Sequence, residues 1–353
     1  MKKRVIGAAL FGTGLFLLAG AVCLAFLIVP QMARIPFDLI PPDTTLDAHN
    51  ASFVTTKTVG NNTTAVVEHA DLESTTGIKP DVGAAADIGG ALRNKAVVWN
   101  VFQQTSRADT GEVISASTGK VAMDRVQGSA VNWSGECYAD QIGQNCDAGN
   151  VTYSGQLFAF PFNTQKKTYS YFDLTLRTPL PMVYQGTETI RGLTTYRFNQ
   201  VIPDQALTTD SGTISFLMSN LAPKATTGSM WYSVNRTLWI EPTTGSIVNY
   251  REAQHRTLRT DAGPPVTIFD ATLEYSPQTL ATVVKAAGDG RSLLILFGTY
   301  VPIGGGLVGV ALMVWGYLLT RRAVRGVDLV GARSAYPVPR QPDENVAPAG
   351  TVT

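Results

Sequence analysis

Two strongly apolar, uncharged segments stand near the ends of the chain, and a more polar stretch lies between them. The first runs from Val5 to Val29 and the second from Ser292 to Thr320. A helix of about 20 residues crosses the ~30 Å hydrocarbon layer of a bilayer, so each segment is long enough to span it. The pattern therefore predicts two transmembrane helices, at residues 5–29 and 292–320.

Basic residues flank the outer end of each segment. Residues 1–4 contain three of them, and Arg321 and Arg322 directly follow the second segment. Lys and Arg gather on the cytoplasmic side of membrane helices. We therefore predict a two-pass plasma-membrane protein whose termini, residues 1–4 and 321–353, are cytoplasmic. Residues 30–291 would then form an extracytoplasmic domain.

A cleaved signal peptide is the alternative interpretation of the first segment. Its apolar core is far longer than the roughly 7–15 residues of a signal peptide, and no A-x-A cleavage site follows it. A lipoprotein cysteine at Cys23 would need a small residue where Val22 stands. We expect the segment to remain as a membrane helix.

Residues 30–291 show the composition and spacing of strands. After a Pro-rich linker at residues 30–42, short runs rich in Val, Thr, Tyr, Phe and Trp alternate with Gly, Asn and Asp, which is typical of β-structure. Pro242–Gly245 and Arg191-Gly192 each separate two such runs and predict hairpins. The run at residues 96–102 is apolar on both faces, so we expect a central strand there.

A helix is predicted at residues 277–287, where apolar residues follow one stripe and the chain leads into the second membrane segment,. The predicted fold class is a membrane-anchored α+β protein. Its β-rich extracytoplasmic domain, a curved sheet or barrel-like with a few helices, stands between N- and C-terminal transmembrane helices. From Gly326 onward the tail is rich in proline and has little to bury, so we expect disorder there.

Charge and cysteine content narrow the class further. Residues 30–291 contain 20 Lys and Arg against 24 Asp and Glu, so they lack the basic surplus that nucleic-acid binding requires. Cys137 and Cys146 are nine positions apart, and in an oxidising compartment such a pair favours a disulfide worth about 2–3 kcal/mol. A redox-active pair and a metal site are the less favoured alternatives, because the three histidines are scattered.

The sequence contains no motif for a nucleophile, a zinc site, a phosphate loop or a dinucleotide,. We therefore expect no enzymatic activity, no cofactor and no metal. Glu241 and Glu252 are candidates for a carboxylate pair of the glycosidase kind, but solvated surface carboxylates are the favoured interpretation.

Aromatic residues in or beside the predicted strands are the remaining candidates for a site. Most of them are expected to fill an ordinary core, but a curved sheet of this size can also enclose an apolar cavity. The candidate lining residues for a lipid cavity are Trp99, Trp133, Tyr196, Phe198, Trp231 and Trp239.

Four features carry a resemblance to a known family. They are the first span ending in Val29-Pro30, the run Gly192–Phe198, the run Trp239–Gly245, and the glycine-rich second span. Over roughly residues 1–320 the chain resembles the actinobacterial porin-PorA-like family of mycolic-acid-containing bacteria, long known as a domain of unknown function. The family has no catalytic residues to carry over.

The resemblance implies two functions. One is a porin, and the other is support for maturation of the lipoglycans lipomannan and lipoarabinomannan. A pore made of strands needs an apolar outer face and a closed edge, so we rank the porin last.

The favoured hypothesis is a domain that binds and presents a lipid or a lipid-linked glycan precursor. The alternative is a non-catalytic scaffold or regulator of a membrane glycosyltransferase. The expected partners are accordingly a membrane lipid or lipoglycan intermediate, and possible envelope glycosyltransferases.

Overall fold

The computed structural model describes residues 2–141 and 143–331. These residues form two compact units, a terminal unit of residues 2–28 and 297–331 and a central unit of residues 29–296. The described helices are α1 (Lys2–Cys23), α2 (Val29–Met32), α3 (Val82–Asp87), α4 (Ser211–Leu221), α5 (Pro277–Ile295) and α6 (Val301–Gly331). Short π-helical segments at Leu24–Ile28 and Leu296–Tyr300 join α1 to α2 and α5 to α6.

Both predicted apolar segments are helical. The stretches long and apolar enough to cross a membrane are Arg4–Met32 and Pro277–Arg321. The second starts earlier than predicted, because the helix predicted at residues 277–287 runs on into the apolar segment. Helix α6 also continues past Thr320 to Gly331. The remainder of the predicted disordered tail, residues 332–353, lies outside the described residues.

Glycines bring α1 and α6 together within the terminal unit. A Cβ atom added to Gly14 would lie 2.4 Å from the carbonyl oxygen of Gly309, and one added to Gly7 would lie 2.8 Å from that of Gly316. Small residues permit this close backbone approach, which is a common way for membrane helices to pair.

The central unit is built from strands. They are β1 (Thr44–Val59), β2 (Asn62–Pro80), β3 (Ala96–Arg107), β4 (Val113–Asp124), β5 (Ser129–Ala130), β6 (Cys137–Ala139), β7 (Gly155–Gln156), β8 (Tyr169–Asp173), β9 (Thr178–Ile190), β10 (Leu193–Leu207), β11 (Gly228–Glu241), β12 (Ser246–Thr260) and β13 (Val266–Tyr275). The predicted hairpins are confirmed as β9–β10 and β11–β12. The predicted central strand is β3, which pairs with β2 and β4.

These strands close into a barrel. Their order is β3-β2-β1-β13-β12-β11-β10-β9-β8-β7-β5-β4, and β4 pairs with β3, so within the described residues the ring has 12 strands. Strand β6 pairs with β4 beside the ring. Among the strands that the structure describes, only β7 and β8 pair in parallel. Closure leaves no exposed sheet edge in the ring. We expected a curved sheet or a barrel, and the structure is the barrel.

Alternation along β11 shows which face points inward. Tyr232, Val234 and Leu238 are buried, whereas Asn235 between them is exposed, as the period of two of a strand requires. At one end of the barrel, apolar residues of α4 such as Leu217 pack with residues of β1, β2, β11, β12 and β13. The interior is therefore a packed core, and α4 covers one end of it.

The predicted disulfide is present. Cys137 in β6 bonds to Cys146 with Cα atoms 5.3 Å apart. It ties the loop that follows β6 back to the strand.

Candidate functional site

A cluster of charged and polar side chains lies inside the barrel, surrounded by apolar core. We call it the ionic cluster, and its centre is Arg236 of β11, which alternation places on the inward face. The Arg236 Nη2 lies 3.1 Å from the Asp173 Oδ2 of β8, and its Nε donates to Glu252 of β12. Because β9 and β10 separate β8 from β11 in the ring, this contact crosses the barrel interior.

Neutral side chains complete the hydrogen bonding of the cluster. Tyr232 donates to the Asp173 Oδ2 over 2.9 Å, and Tyr250 donates to Glu252. Gln200 accepts from Arg236 and donates to the backbone carbonyls of Tyr171 and Leu180, each over 3.1 Å. Buried polar groups are stable only when paired in this way.

The surrounding charges keep Arg236 in its charged form. Burial alone would lower the pKa of Arg236, but the negative charges of Glu252 and Asp173 outweigh it and raise that pKa well above its usual value. Burial raises the pKa of Tyr171, whose ring lies beneath the guanidinium, to about 12. The guanidinium of Arg236 therefore stays protonated inside the core at neutral pH.

The outer wall of the barrel carries charged pairs on two neighbouring strands. On β12 and β13, Arg251 pairs with Glu274 at 2.7 Å, and His255 lies 3.5 Å from Asp270. These four side chains point away from the core and are about half exposed. A transmembrane barrel instead presents an apolar band to lipid, and these charged pairs interrupt such a band on β12 and β13.

A groove of about 310 Å³ indents the outer wall across β9 to β12. Its lining residues are Gln185, Arg197, Asn199, Thr237, Trp239 and Arg251. Five of the six are polar. Trp239 donates from Nε1 to Glu188 over 2.6 Å, which fixes its ring in the groove.

The six aromatic residues predicted to line a lipid cavity do not lie together. Trp99 and Phe198 are buried in separate core clusters, and Tyr196 packs beside the latter. Trp133 packs against a third cluster. On the opposite face of the wall, Trp239 lines the outer groove and Trp231 lies under the guanidinium of Arg259 at 4.1 Å.

Glu241 and Glu252 are both buried, so the favoured interpretation as solvated surface carboxylates is wrong. Glu252 belongs to the ionic cluster. Glu241 accepts from the backbone N–H groups of Thr243 and Thr244, at 3.1 and 2.7 Å, and so holds the β11–β12 turn. Both carboxylates are thus occupied by hydrogen bonds and ion pairs that hold the fold together.

Sequence reasoning missed Asp173, Gln200 and Arg236. A signal for Arg236 was available, because it occupies an inward position of β11 between Val234 and Leu238. A charge at an apolar-face position predicts a buried partner. Asp173 offered no such signal, since its role depends on a contact across the barrel. Among the described residues, no group of three or more His, Cys, Asp or Glu side chains could hold a metal ion.

Fold and site together define a closed β-barrel protein with an apolar helix at each end of the chain. The family model Porin PorA matches residues 6–318, so the chain belongs to the PorA family. The resemblance noted in the sequence is thereby confirmed, and family membership and the two apolar helices fit a membrane location.

Two curated relatives have the same family name. Porin PorA of Corynebacterium amycolatum is 24% identical over 313 residues, covering 71% of this chain and 77% of the relative. Porin PorA of Corynebacterium resistens is 23% identical over 302 residues, covering 63% of this chain and 71% of the relative.

Among solved structures, the chain matches the crystal structure of Rv2717c from M. tuberculosis. The match covers 66% of this chain and 91% of that chain at 10% identity, with a TM-score of 0.20. At that score the likeness supports no argument about fold or function.

These findings correct the functional prediction. Binding and presentation of a lipid or lipid-linked glycan was favoured, a scaffold was second, and a porin was ranked last. The relatives are named porins and the strands close into a barrel, so that ranking is wrong. The porin was ranked last because a closed sheet edge was not expected, whereas β3 and β4 pair and close the ring. Lipid binding was favoured because the aromatic residues were treated as the lining of one cavity, whereas they do not lie together.

Proposed function

We propose that this chain forms a pore in a membrane, lined by the helices of several copies. The observation that carries the proposal is the extent of the family match, because residues 6–318 include both apolar helices and the entire barrel. Porin is also the printed name of both relatives.

The charged pairs on the outer wall support a proposal about which part of the protein contacts hydrocarbon. A membrane-spanning element must satisfy its backbone internally and present apolar side chains to lipid. Helices α1 and α6 meet both conditions, since their exposed residues include Phe16, Leu307 and Trp315. The ion pairs on β12 and β13 argue that the barrel remains in the aqueous phase.

Two helices enclose no channel, so several copies must assemble around one. Gly14 and Gly309 are already used in pairing the two helices of one chain. Gly20 and Gly304 have open space where a Cβ would lie, which would allow a helix of another copy to approach closely.

The proposed orientation follows from the basic residues at both ends. Residues 1–4 and those that begin at Arg321 would lie in the cytoplasm, as Lys and Arg near membrane helices generally do. The barrel would then lie outside the plasma membrane, where Cys137 and Cys146 can be oxidised.

Planar-bilayer recording of the purified full chain tests the pore. We expect discrete current steps from the wild type and their loss in Gly14→Leu, where the new side chain collides with the backbone of α6. Gly12→Leu on the same helix is the control for pairing within one chain, since nothing lies within 4 Å of its Cβ position. Wild-type protein that inserts without any current steps would refute the function.

The same recording separates two routes for ions. If the helices line the pore, Arg236→Gln leaves conductance and ion selectivity unchanged in protein that remains folded by circular dichroism. A changed selectivity would instead show that ions pass the ionic cluster, and the helix-lined route would be abandoned.

A further inference from the structure

Basic side chains gather where the chain leaves the first membrane helix. Arg34 follows Met32, the last residue of the first apolar stretch, by two positions. Arg125 lies beside it, and the exposed residues Arg93 and Lys95 belong to the adjoining segment. We call these four residues the basic cluster, and all of them lie in the central unit.

Backbone contacts hold the basic cluster together. The N–H of Ile35 donates to the carbonyl of Arg125 over 2.7 Å, and the Arg125 Nε donates back to the carbonyl of Ile35 over 2.7 Å. The Arg125 N–H donates to the carbonyl of Lys95 over 2.9 Å. The Arg125 guanidinium also stacks on Phe37, 3.8 Å from the ring centre. Arg34 and Arg125 are therefore fixed side by side.

The positive charge of this cluster is not balanced locally. Among the described residues, none of the four basic side chains takes part in an ion pair. The neighbouring Asp124 carboxylate is occupied by the N–H groups of Val126 and Gln127, at 2.8 and 2.7 Å. The buried Arg34 Nε has no hydrogen-bond partner within the described part of the chain.

The pKa of Arg125 also indicates unbalanced positive charge in the basic cluster. Burial, together with the like charge of Arg34, lowers the pKa of Arg125. An anion placed between the two guanidinium groups would remove both the repulsion and the unpaired donor.

Large apolar side chains are exposed nearby in the chain. Leu39 and Ile40 follow Arg34 closely, and Val126 follows Arg125; their exposures are 38%, 69% and 38%. Cationic side chains next to exposed apolar ones are typical of surfaces that lie in the interfacial layer of a membrane.

We propose that the basic cluster binds the phosphate of an anionic phospholipid headgroup at the membrane surface. Guanidinium forks match phosphate oxygens, and attachment two residues beyond a membrane helix holds Arg34 at headgroup depth. The contact is with a headgroup and needs no apolar cavity. It is independent of whether the chain conducts ions.

Native mass spectrometry of the full chain in detergent tests the proposal. The protein is titrated with phosphatidylglycerol or phosphatidylcholine, and the retained lipids are counted. We expect preferential retention of phosphatidylglycerol, and a loss of about fivefold in apparent affinity for Arg34→Gln. Arg251→Gln removes the same charge from the outer wall and should retain phosphatidylglycerol as the wild type does. This control accounts for lipids that bind at the basic ends of the chain.

Arg125→Lys is a second variant that keeps the charge but loses the fork, and it should also bind more weakly. Equal retention of the two lipids by the wild type, or Arg34→Gln behaving as Arg251→Gln does, would overturn the proposal. A titration with inorganic phosphate alone identifies a free-anion site. If phosphate raises the melting temperature of the wild type but not of Arg34→Gln, without preference for phosphatidylglycerol, the lipid assignment is wrong.

Discussion

Arg236 and Arg251 show that the same residue type has different consequences on the two faces of one barrel wall. Arg236 points inward from β11 and contacts Asp173 and Glu252, all three being buried. Arg251 points outward from the neighbouring β12 and pairs with Glu274 in solvent. Desolvation makes the inner charges interdependent, whereas water screens the outer pair.

Arg236→Met should destabilise the protein by about 3–5 kcal/mol, because it leaves two carboxylates buried without a counter-charge. Arg251→Met should cost less than about 1 kcal/mol. Urea unfolding of the full chain in micelles, followed by tryptophan fluorescence, measures both. Similar losses for the two variants would contradict the burial argument.

Glu136 leads to a prediction about pH. Burial raises the pKa of this carboxyl, and its Oε2 has no partner among the described residues. A raised carboxyl pKa means that the folded state holds the proton more tightly than the unfolded state does. The ionised Glu136 carboxylate therefore destabilises the folded protein at pH values above the pKa of the folded state. This destabilisation disappears below the pKa of the unfolded state, 4.5,.

Glu136→Gln should accordingly stabilise the protein at pH 7, by on the order of 1 kcal/mol. The advantage should vanish as the pH falls below about 4. Melting temperatures of both proteins across this range provide the measurement. An advantage that is independent of pH would rule out ionisation as the cause.

At the scale of elements, the two predicted hairpins differ in what surrounds their turns. Arg191 and Gly192 both have positive φ, at 47° and 84°, and nothing lies near the Gly192 Cβ position. Gly245 also has positive φ, but its Cβ position is 2.0 Å from the carbonyl oxygen of Phe160. The Phe160 N–H in turn donates to the Gly245 carbonyl over 2.9 Å.

Gly192→Ala should therefore cost only the left-handed backbone strain, about 1–2 kcal/mol. Gly245→Ala adds a collision with the neighbouring segment and should cost roughly 1–3 kcal/mol more. The comparison requires denaturant unfolding of the two variants side by side. Equal costs would mean that the segment at Phe160 moves aside freely.

At the scale of the whole molecule, a prediction concerns which side of the membrane each part occupies. The proposed topology puts residues 1–4 inside the cell and the barrel outside. In a Cys23→Ala background, cysteines introduced at Lys2 and at the exposed Thr110 of the β3–β4 turn report on the two sides.

A membrane-impermeant maleimide should label Thr110→Cys in intact spheroplasts and Lys2→Cys only after permeabilisation. Cys137 and Cys146 are paired in a disulfide and should remain unlabelled in both cases. The opposite labelling pattern would invert the topology.

The expected absence of enzymatic activity stays a prediction, as do the expected partners.

The sequence alone determined the local elements and the family. Both apolar helices, the two hairpins, β3 and the Cys137–Cys146 disulfide follow from composition, periodicity and short spacings, because each depends on residues close together in the chain. The turn and glycine motifs were enough to indicate the PorA family, which the match over residues 6–318 confirms.

The tertiary structure alone decided the closure of the barrel and the contents of its interior. Pairing of β3 with β4 is local, but it closes a ring only because β5, β7 and β8 complete the circuit from β4 to β9. The ionic cluster joins Asp173 to Arg236 across 63 positions, and the predicted aromatic residues divide between the two faces of the wall. Such contacts depend on register and curvature summed over many strands, and no short stretch of sequence contains that information.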